Sequence, residues 1–418
     1  MCWLLPALTA VPAVAEAVWA ALDTVDAGVL RAVAPQLAAV VRGRVWADVA
    51  TPVADLVAWR AVFPAASALA LGPGACKQLE EGGEPSAAAA AALAGVTAVD
   101  GTPAGPAFTS AVLDGLSAAA PTLTSLTLHG CDGLGGGGVS FSHLTALTAL
   151  DATGSLLDDA AVATLPDSLC SLRVAHCPLL SAGADFSHLH RLATLVADGT
   201  PLRDAVIASL PPALTSLSVR DCGSLTARAT YDHLPDLAAL DAGNTALDDG
   251  GVLVLPPGIT RLAIDGCVRI TEFVTFDHLP ALAHLDASHT RVGDLALATL
   301  PPALTTLRLA ACRLHWAAAL HHLPALTVLD APQTGLGDDA LASLPPTMTA
   351  LHLAWCRDLS PAASFAHLRR LTFLDATATP LGDDAIATLP PSLTTLLAAD
   401  CFHLTPPSPL TTCRRLVL

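Results

Sequence analysis

The sequence predicts an α/β solenoid, a coil of short rungs with a parallel sheet along its concave side and turns or short helices behind. Three observations carry this. The string leucine-x-x-leucine-x-aliphatic-x-x-cysteine starts at Leu123, Leu169, Leu214, Ile259, Leu304, Met348 and Leu393, in steps of 46, 45, 45, 45, 44 and 45 residues. A second string, histidine-leucine-x-x-leucine-x-x-leucine-aspartate-alanine, alternates with it from His143, His188, His233, His278, His322 and His367, Val196 once replacing the aspartate. Within both strings apolar and polar residues alternate at period two, as on a half-buried strand. The repeating unit is a doublet with halves of about 22–23 residues, a length typical of stacked repeats.

Each strand places its first, fourth and sixth residues inward and its second, third and fifth outward along the concave face. One rung cannot bury its own apolar face, so neighbours on both sides complete the core. Behind the second strand, a Ser or Thr (Ser155, Thr200, Thr245, Thr290, Thr334, Thr379) is followed four residues later by Asp159, Asp204, Asp249, Asp294, Asp338 or Asp383. These aspartates are expected to N-cap short convex-side helices, which the following Leu-Pro pairs end.

The regular array occupies residues 123–418. Its last repeat is cut short at Leu416-Val417-Leu418, where a strand is expected and an open apolar edge would invite a partner or a second copy. Residues 66–122 read as a degenerate capping pair: Leu69 and Leu71 take strand positions, residues 72–92 form an irregular insertion, and Val96, Val99 and Asp100 imitate the aspartate half. Residues 1–65 form a separate module holding Trp3, Trp19, Trp46 and Trp59, four of the six tryptophans. Helices are expected from Pro12, from Asp26 and over residues 53–63. The small-residue site Ala13-Val14-Ala15 lacks the basic segment of a secretory leader, so a structured cap is expected, with secretion left open.

Aromatics make up only 4% of a chain that is 53% hydrophobic, which predicts a core tiled from Leu, Ala and Val. No apolar run is long enough for a membrane span. The net charge of −17 disfavours nucleic acid, whose phosphates are held by clustered Lys and Arg. Seven of the eleven cysteines, Cys131, Cys177, Cys222, Cys267, Cys312, Cys356 and Cys401, share one repeat position, too far apart for disulfides. Reduced thiols and the absence of Asn-x-Ser/Thr sites predict a cytoplasmic or nuclear location.

The array resembles the leucine-rich repeat family, whose horseshoe carries a parallel concave sheet. Cys222-Gly-Ser-Leu225-Thr226 and Cys267-Val-Arg-Ile270-Thr271 resemble its cysteine-containing subfamily, although the aspartate halves put Thr or Ser at the cysteine position. Repeats of that subfamily often follow an F-box, the adaptor-binding module of ubiquitin ligases. Val11-Pro12, Val18, Trp19, Leu22, Asp23, Val29-Leu30-Arg31 and Val45-Trp46 are similar to a worn F-box, interrupted by Pro35. That resemblance implies a Skp1-like adaptor bound through residues 11–60; an ordinary helical cap for the solenoid explains the same residues.

The candidate binding strip is a column at the fifth strand place, Asp100, Asp151, Asp241, Asp286, Asp330 and Asp375, with Arg173, Arg308 and His352 interleaved and Trp355 beside it. Most successive aspartates stand about 9–10 Å apart, too far to share a proton or chelate an ion. The strip is either a protein-binding surface or a row of cross-strand pairs that solvates the sheet. The repeat-spaced histidines cannot converge on a metal and are expected to bond loop backbone. The cysteine column has no basic neighbour to activate it, and the Gly135–Gly138 run lacks the Lys-Ser/Thr of a phosphate loop. No cofactor, metal or catalytic group is therefore expected; the sequence predicts a non-enzymatic scaffold for a protein partner, with a ubiquitin-ligase substrate receptor as the alternative.

Overall fold

The structure is a computed structural model describing residues 47, 51–80, 86–135, 137–315, 318–401, 403–404 and 415–417, the last three as backbone. The readings placed on residues 1–46 and 48–50, among them the F-box resemblance and the helices from Pro12 and Asp26, lie outside the described residues. The chain divides into two compact units, Met1–Leu179 and Leu180–Leu418.

In the first unit the order is β1 (Pro52–Val53), α1 (Leu56–Val62), β2 (Ala68–Leu71), α2 (Pro73–Glu80), α3 (Ala87–Leu93), β3 (Ala98–Asp100), α4 (Ser110–Gly115), β4 (Ser125–Thr127), β5 (Ala149–Asp151), α5 (Asp159–Val162) and β6 (Ser171–Arg173). Strands β1 to β6 pair in chain order, all parallel, with Leu126, Leu150 and Leu172 in register. Asp55 caps α1 by accepting the Val57 and Ala58 amides, both at 3.0 Å. Arg60 ties that helix to the end of α3, donating to the Ala92 carbonyl at 2.6 Å. The insertion expected to be irregular instead holds α2 and α3. The alanine run from Ala87 has high helix propensity, and Ser86 caps it by accepting the Ala89 amide at 3.2 Å.

In the second unit the order is β7 (Thr194–Val196), α6 (Asp204–Ala208), β8 (Ser216–Ser218), β9 (Ala239–Asp241), α7 (Asp249–Leu253), β10 (Arg261–Ala263), β11 (His284–Asp286), α8 (Asp294–Leu297), β12 (Thr306–Arg308), β13 (Val328–Asp330), α9 (Asp338–Ala342), β14 (Ala350–His352), β15 (Phe373–Asp375), α10 (Asp383–Ala387), β16 (Thr395–Leu397) and β17 (Arg415–Val417). The strands again pair consecutively and in parallel, each central leucine opposite the next from Leu217 to Leu396. The short helices α6 to α10 follow the aspartate strands; the cysteine halves of this unit return through turns.

The core follows the predicted alternation: Leu262 and Leu307 are buried, while Arg261 and Arg308 on the same strands are exposed. It departs from the composition in one respect. A ring stands two residues before most of the repeat histidines, and Phe141, Phe186, Tyr231, Phe276 and Phe365 are all fully buried. Few aromatics suffice because each doublet needs only one. Several of these rungs are pinned by a hydroxyl behind them: the Phe141, Phe276 and Phe365 amides donate to Thr164, Thr299 and Thr388 Oγ1 at 2.9–3.0 Å.

The Thr/Ser position that departs from the cysteine pattern has a physical role. Thr245 Oγ1 donates to the Ala242 carbonyl at 2.7 Å, and Cys267 of the next half donates to the same carbonyl at 3.1 Å, so two buried polar groups satisfy each other through one acceptor. The arrangement recurs at Thr200, Thr290, Thr334 and Thr379. All described cysteines are free thiols. Burial pushes the Cys131 thiol up to about 12, with Asp100 adding to it, and raises Cys222, Cys267, Cys312 and Cys356 as well.

The expected N-caps are corrected. Asp204, Asp249, Asp294 and Asp338 occupy the first helical residue, and the capping place belongs to Arg203, Asp248, Gly293 and Gly337. The carboxylates turn sideways to the next half: Asp249 accepts the Thr271 amide at 2.8 Å and the Thr271 hydroxyl, and Asp338 accepts the Ser360 amide at 2.9 Å.

Candidate interaction face

The third residue of each three-residue strand points away from the core, and it is here that the predicted strip lies. In the first unit Asp100, Thr127, Asp151 and Arg173 stand in register on β3 to β6. In the second, Ser218, Asp241, Ala263, Asp286, Arg308, Asp330, His352 and Asp375 do so on β8 to β15. Sequence spacing thus assembles each unit's column as expected.

The column aspartates hold one orientation because Asp100, Asp151, Asp241, Asp286 and Asp375 each accept the backbone amide two residues on, at 2.9–3.1 Å. Asp330 has no such bond because Pro332 offers no N–H. The interleaved arginines pair as their positions imply. Arg173 Nε lies 3.4 Å from Asp151, and Arg308 lies between Asp286 at 3.6 Å and Asp330 at 4.0 Å. His352, flanked by Asp330 and Asp375, places its ring 4.6 Å from that of Phe373.

Trp355 is not in the column. It occupies the turn after β14 with φ of 65°, 47% exposed, its ring 5.8 Å from the Arg357 guanidinium. Gln333, Thr334 and Asp358 surround this rim site. The left-handed conformation recurs at the same turn of successive halves, at Asp221, Asn244, His289, Ala311 and Gln333, so Trp355 is placed by the repeat geometry rather than by a feature of its own.

Two places beyond the column lies a cluster that the sequence reading missed. Arg220 donates to Asp265 through both terminal nitrogens, one at 2.8 Å, and to Asp241 at 3.3 Å. Its own amide donates to Asp198 at 3.0 Å, and Asp198 also accepts the Ser218 hydroxyl. The guanidinium crosses Gly243, where a Cβ would overlap it. Asp265 raises the affinity of Arg220 for its proton further still. For Asp241 the charged form is instead disfavoured: burial lifts its carboxyl above the ordinary range, outweighing the Gly243 amide and Arg220. A signal for this cluster did exist, since Arg220 and Asp265 are 45 residues apart, one doublet, with Asp198 two places after the deviant Val196.

Arg220, Asp241 and Asp265 line an open groove over β8 to β12 with Arg261, His284, Asp286 and Arg308, while Leu217, Leu240, Leu262 and Leu285 of the same strands are buried on the core side. The repeat histidines stay out of it: His143, His278 and His322 bond the backbone carbonyls of Leu113, Val252 and Leu297 at 3.0–3.1 Å. Among the described residues no three His, Cys, Asp or Glu side chains converge as a metal site, and no helix is long and apolar enough to cross a membrane.

No protein-family profile matches this sequence, and no curated protein does. Among solved structures, the chain is similar to an internalin, InlF, from Listeria monocytogenes, with a TM-score of 0.54 and 16% identity over 67% of this chain and 84% of that one. It is also similar to TLR13, solved in a complex with ssRNA13, with a TM-score of 0.56 and 18% identity over 85% of this chain. There it spans 61% of the TLR13 chain. At such identities the likeness defines the fold: a leucine-rich-repeat solenoid with an open parallel sheet.

Proposed function

We propose that this chain is a non-enzymatic scaffold, of the cysteine-containing leucine-rich-repeat type in alternate halves, that binds a protein partner on the open face of its sheet. The carrying observation is the ordered charged column on the outward face of the sheet, with Asp286, Arg308 and Asp330 each held in place by register and ion pairs. Part of the remaining polar chemistry is consumed internally, although His233 and His367 each keep a buried Nε2 without a hydrogen-bond partner among the described residues. Burial favours the protonated thiol at Cys131, Cys177, Cys222, Cys267, Cys312 and Cys356, and three of the repeat histidines bond backbone carbonyls. Free thiols support a cytoplasmic or nuclear setting.

Affinity capture with the intact chain tests this reading. Charge reversal by Asp286→Arg with Asp330→Arg should weaken the recovered partner at least tenfold while leaving the melting temperature nearly unchanged. Equal capture by the parent and the double variant would leave the strip as a solvated face only. The alternative, a ubiquitin-ligase substrate receptor, rests on the resemblance of residues 11–60 to an F-box. It requires the full chain to co-purify with a Skp1-like adaptor, and a clean failure to do so removes it.

A further inference from the structure

The arginines on the sheet face are not equivalent. Arg173, Arg220 and Arg308 each have a carboxylate within 4.0 Å. Arg261, the first residue of β10, is exposed; its amide donates to the Ala238 carbonyl at 3.1 Å, but among the described residues its guanidinium has no carboxylate within 4.0 Å. It lies within a groove that holds three aspartates, whose other two arginines, Arg220 and Arg308, are both paired. Beside it in register stands His284, whose protonation burial and then Arg261 both oppose, leaving a neutral ring as a hydrogen-bond donor. The flanking residues of that row, Ala239 and Thr306, bring no carboxylate.

Two residues further along the same strands the pattern inverts. Asp241 and Asp286 stand either side of Ala263, and each is paired on its outer side, to Arg220 and to Arg308 respectively. Ala263 thus leaves a slot between two carboxylates about 9–10 Å apart, wide for a metal ion but suited to a long cationic side chain. The two places are about 7 Å apart along the strand, the spacing of residues i and i+2 in an extended segment.

We propose that this groove takes an extended segment of a protein partner through an acid–base pair: a carboxylate on Arg261 and His284, and an arginine or lysine side chain over Ala263 between Asp241 and Asp286. The proposal rests on the open-face reading and specifies the partner's chemistry. Opposed charges at fixed spacing set register and reject partners with the pair reversed, since like charges would then face each other. The bonds are charge-assisted and geometrically demanding, and arginine meets the slot with a planar fork of donors.

The test uses the full chain and two fluorescein-labelled peptides, Gly-Ser-Glu-Thr-Arg-Ser-Gly and its neutral form with glutamine at both charged places, followed by fluorescence anisotropy at low salt. The charged peptide should bind saturably and the neutral one at least tenfold more weakly. Arg261→Glu and Ala263→Arg, the latter filling the slot with the chain's own guanidinium, should each cost the charged peptide at least tenfold. Arg261→Gln and Asp286→Asn, which remove charge on the outward face without reversing it, repeat the measurement should either charged variant fold poorly by circular dichroism. Undiminished binding by these variants, or equal binding of the two peptides, overturns the proposal. A natural partner that is lost on Asp286→Arg with Asp330→Arg, but not on Arg261→Glu or Ala263→Arg, sinks the acid–base pairing alone. One that survives all four substitutions sinks the open-face reading as well.

Discussion

Arg220 reaches a full doublet away because Gly243 leaves its path open, and the result is a cation held by Asp265 and Asp241 at the edge of the groove. Asp265 is only 15% exposed, so it depends on that partner. Arg220→Met should destabilise the fold by about 1–2 kcal/mol, chiefly by stranding the Asp265 charge. Adding Asp265→Leu should restore most of the loss, and urea denaturation of the single and double variants measures the coupling. Additive losses would mean that the pair contributes nothing beyond its separate side chains. Asp241 titrates in the opposite sense to a salt-bridged carboxylate, because burial outweighs Arg220. Its pKa is raised in the fold, so its contribution to stability is fully present below the unfolded value of about 3.9 and is lost as pH rises through the higher native value. Asp241→Asn stays neutral throughout. Relative to the parent, its urea midpoint should therefore rise between pH 3 and pH 7; a constant difference would remove burial as the dominant cause.

At the scale of the element, the half-repeat is held to its neighbour by polar staples as well as by leucines. Asp249, at the start of α7, accepts the amide and hydroxyl of Thr271 on the next half. Asp249→Ala frees both donors and should cost about 1–2 kcal/mol, with faster hydrogen exchange at the Thr271 amide. Unchanged exchange there would return Asp249 to a purely helix-terminal role. The sequence made the strands legible because period-two alternation and the leucine register leave one consistent assignment, and the column from Asp241 to Asp375 followed from it. The staples were not legible: an aspartate at the head of a helix reads alike whether its carboxylate turns to its own amides or sideways to the next rung. The Arg220 cluster escaped because Arg220 and Asp265 sit at an unspecified place of the cysteine string, between its aliphatic residue and its cysteine, where residue types vary from half to half. Helices α2 and α3 escaped because no repeat string frames residues 72–92.

For the whole molecule, stability in a stack of rungs is a sum of rung and nearest-neighbour terms, so damage should spread only as far as adjacent interfaces carry it. Leu307 shows the test cleanly. It is fully buried on β12, in register with Leu285 on β11 and Leu329 on β13. Leu307→Asp removes the apolar contacts of a core leucine and buries a charge, together worth at least about 4 kcal/mol. In a globular core such a change unfolds the domain as one. Here hydrogen exchange should collapse first in β11, β12 and β13 and fall off with distance, leaving β8 and β16 the best protected strands of the second unit. That unit should then melt in a broadened transition, because the rungs on either side of the lesion no longer share an unbroken core. Uniform loss of protection from β7 to β17 would show instead that its rungs are coupled too strongly for neighbour-by-neighbour stacking to describe them.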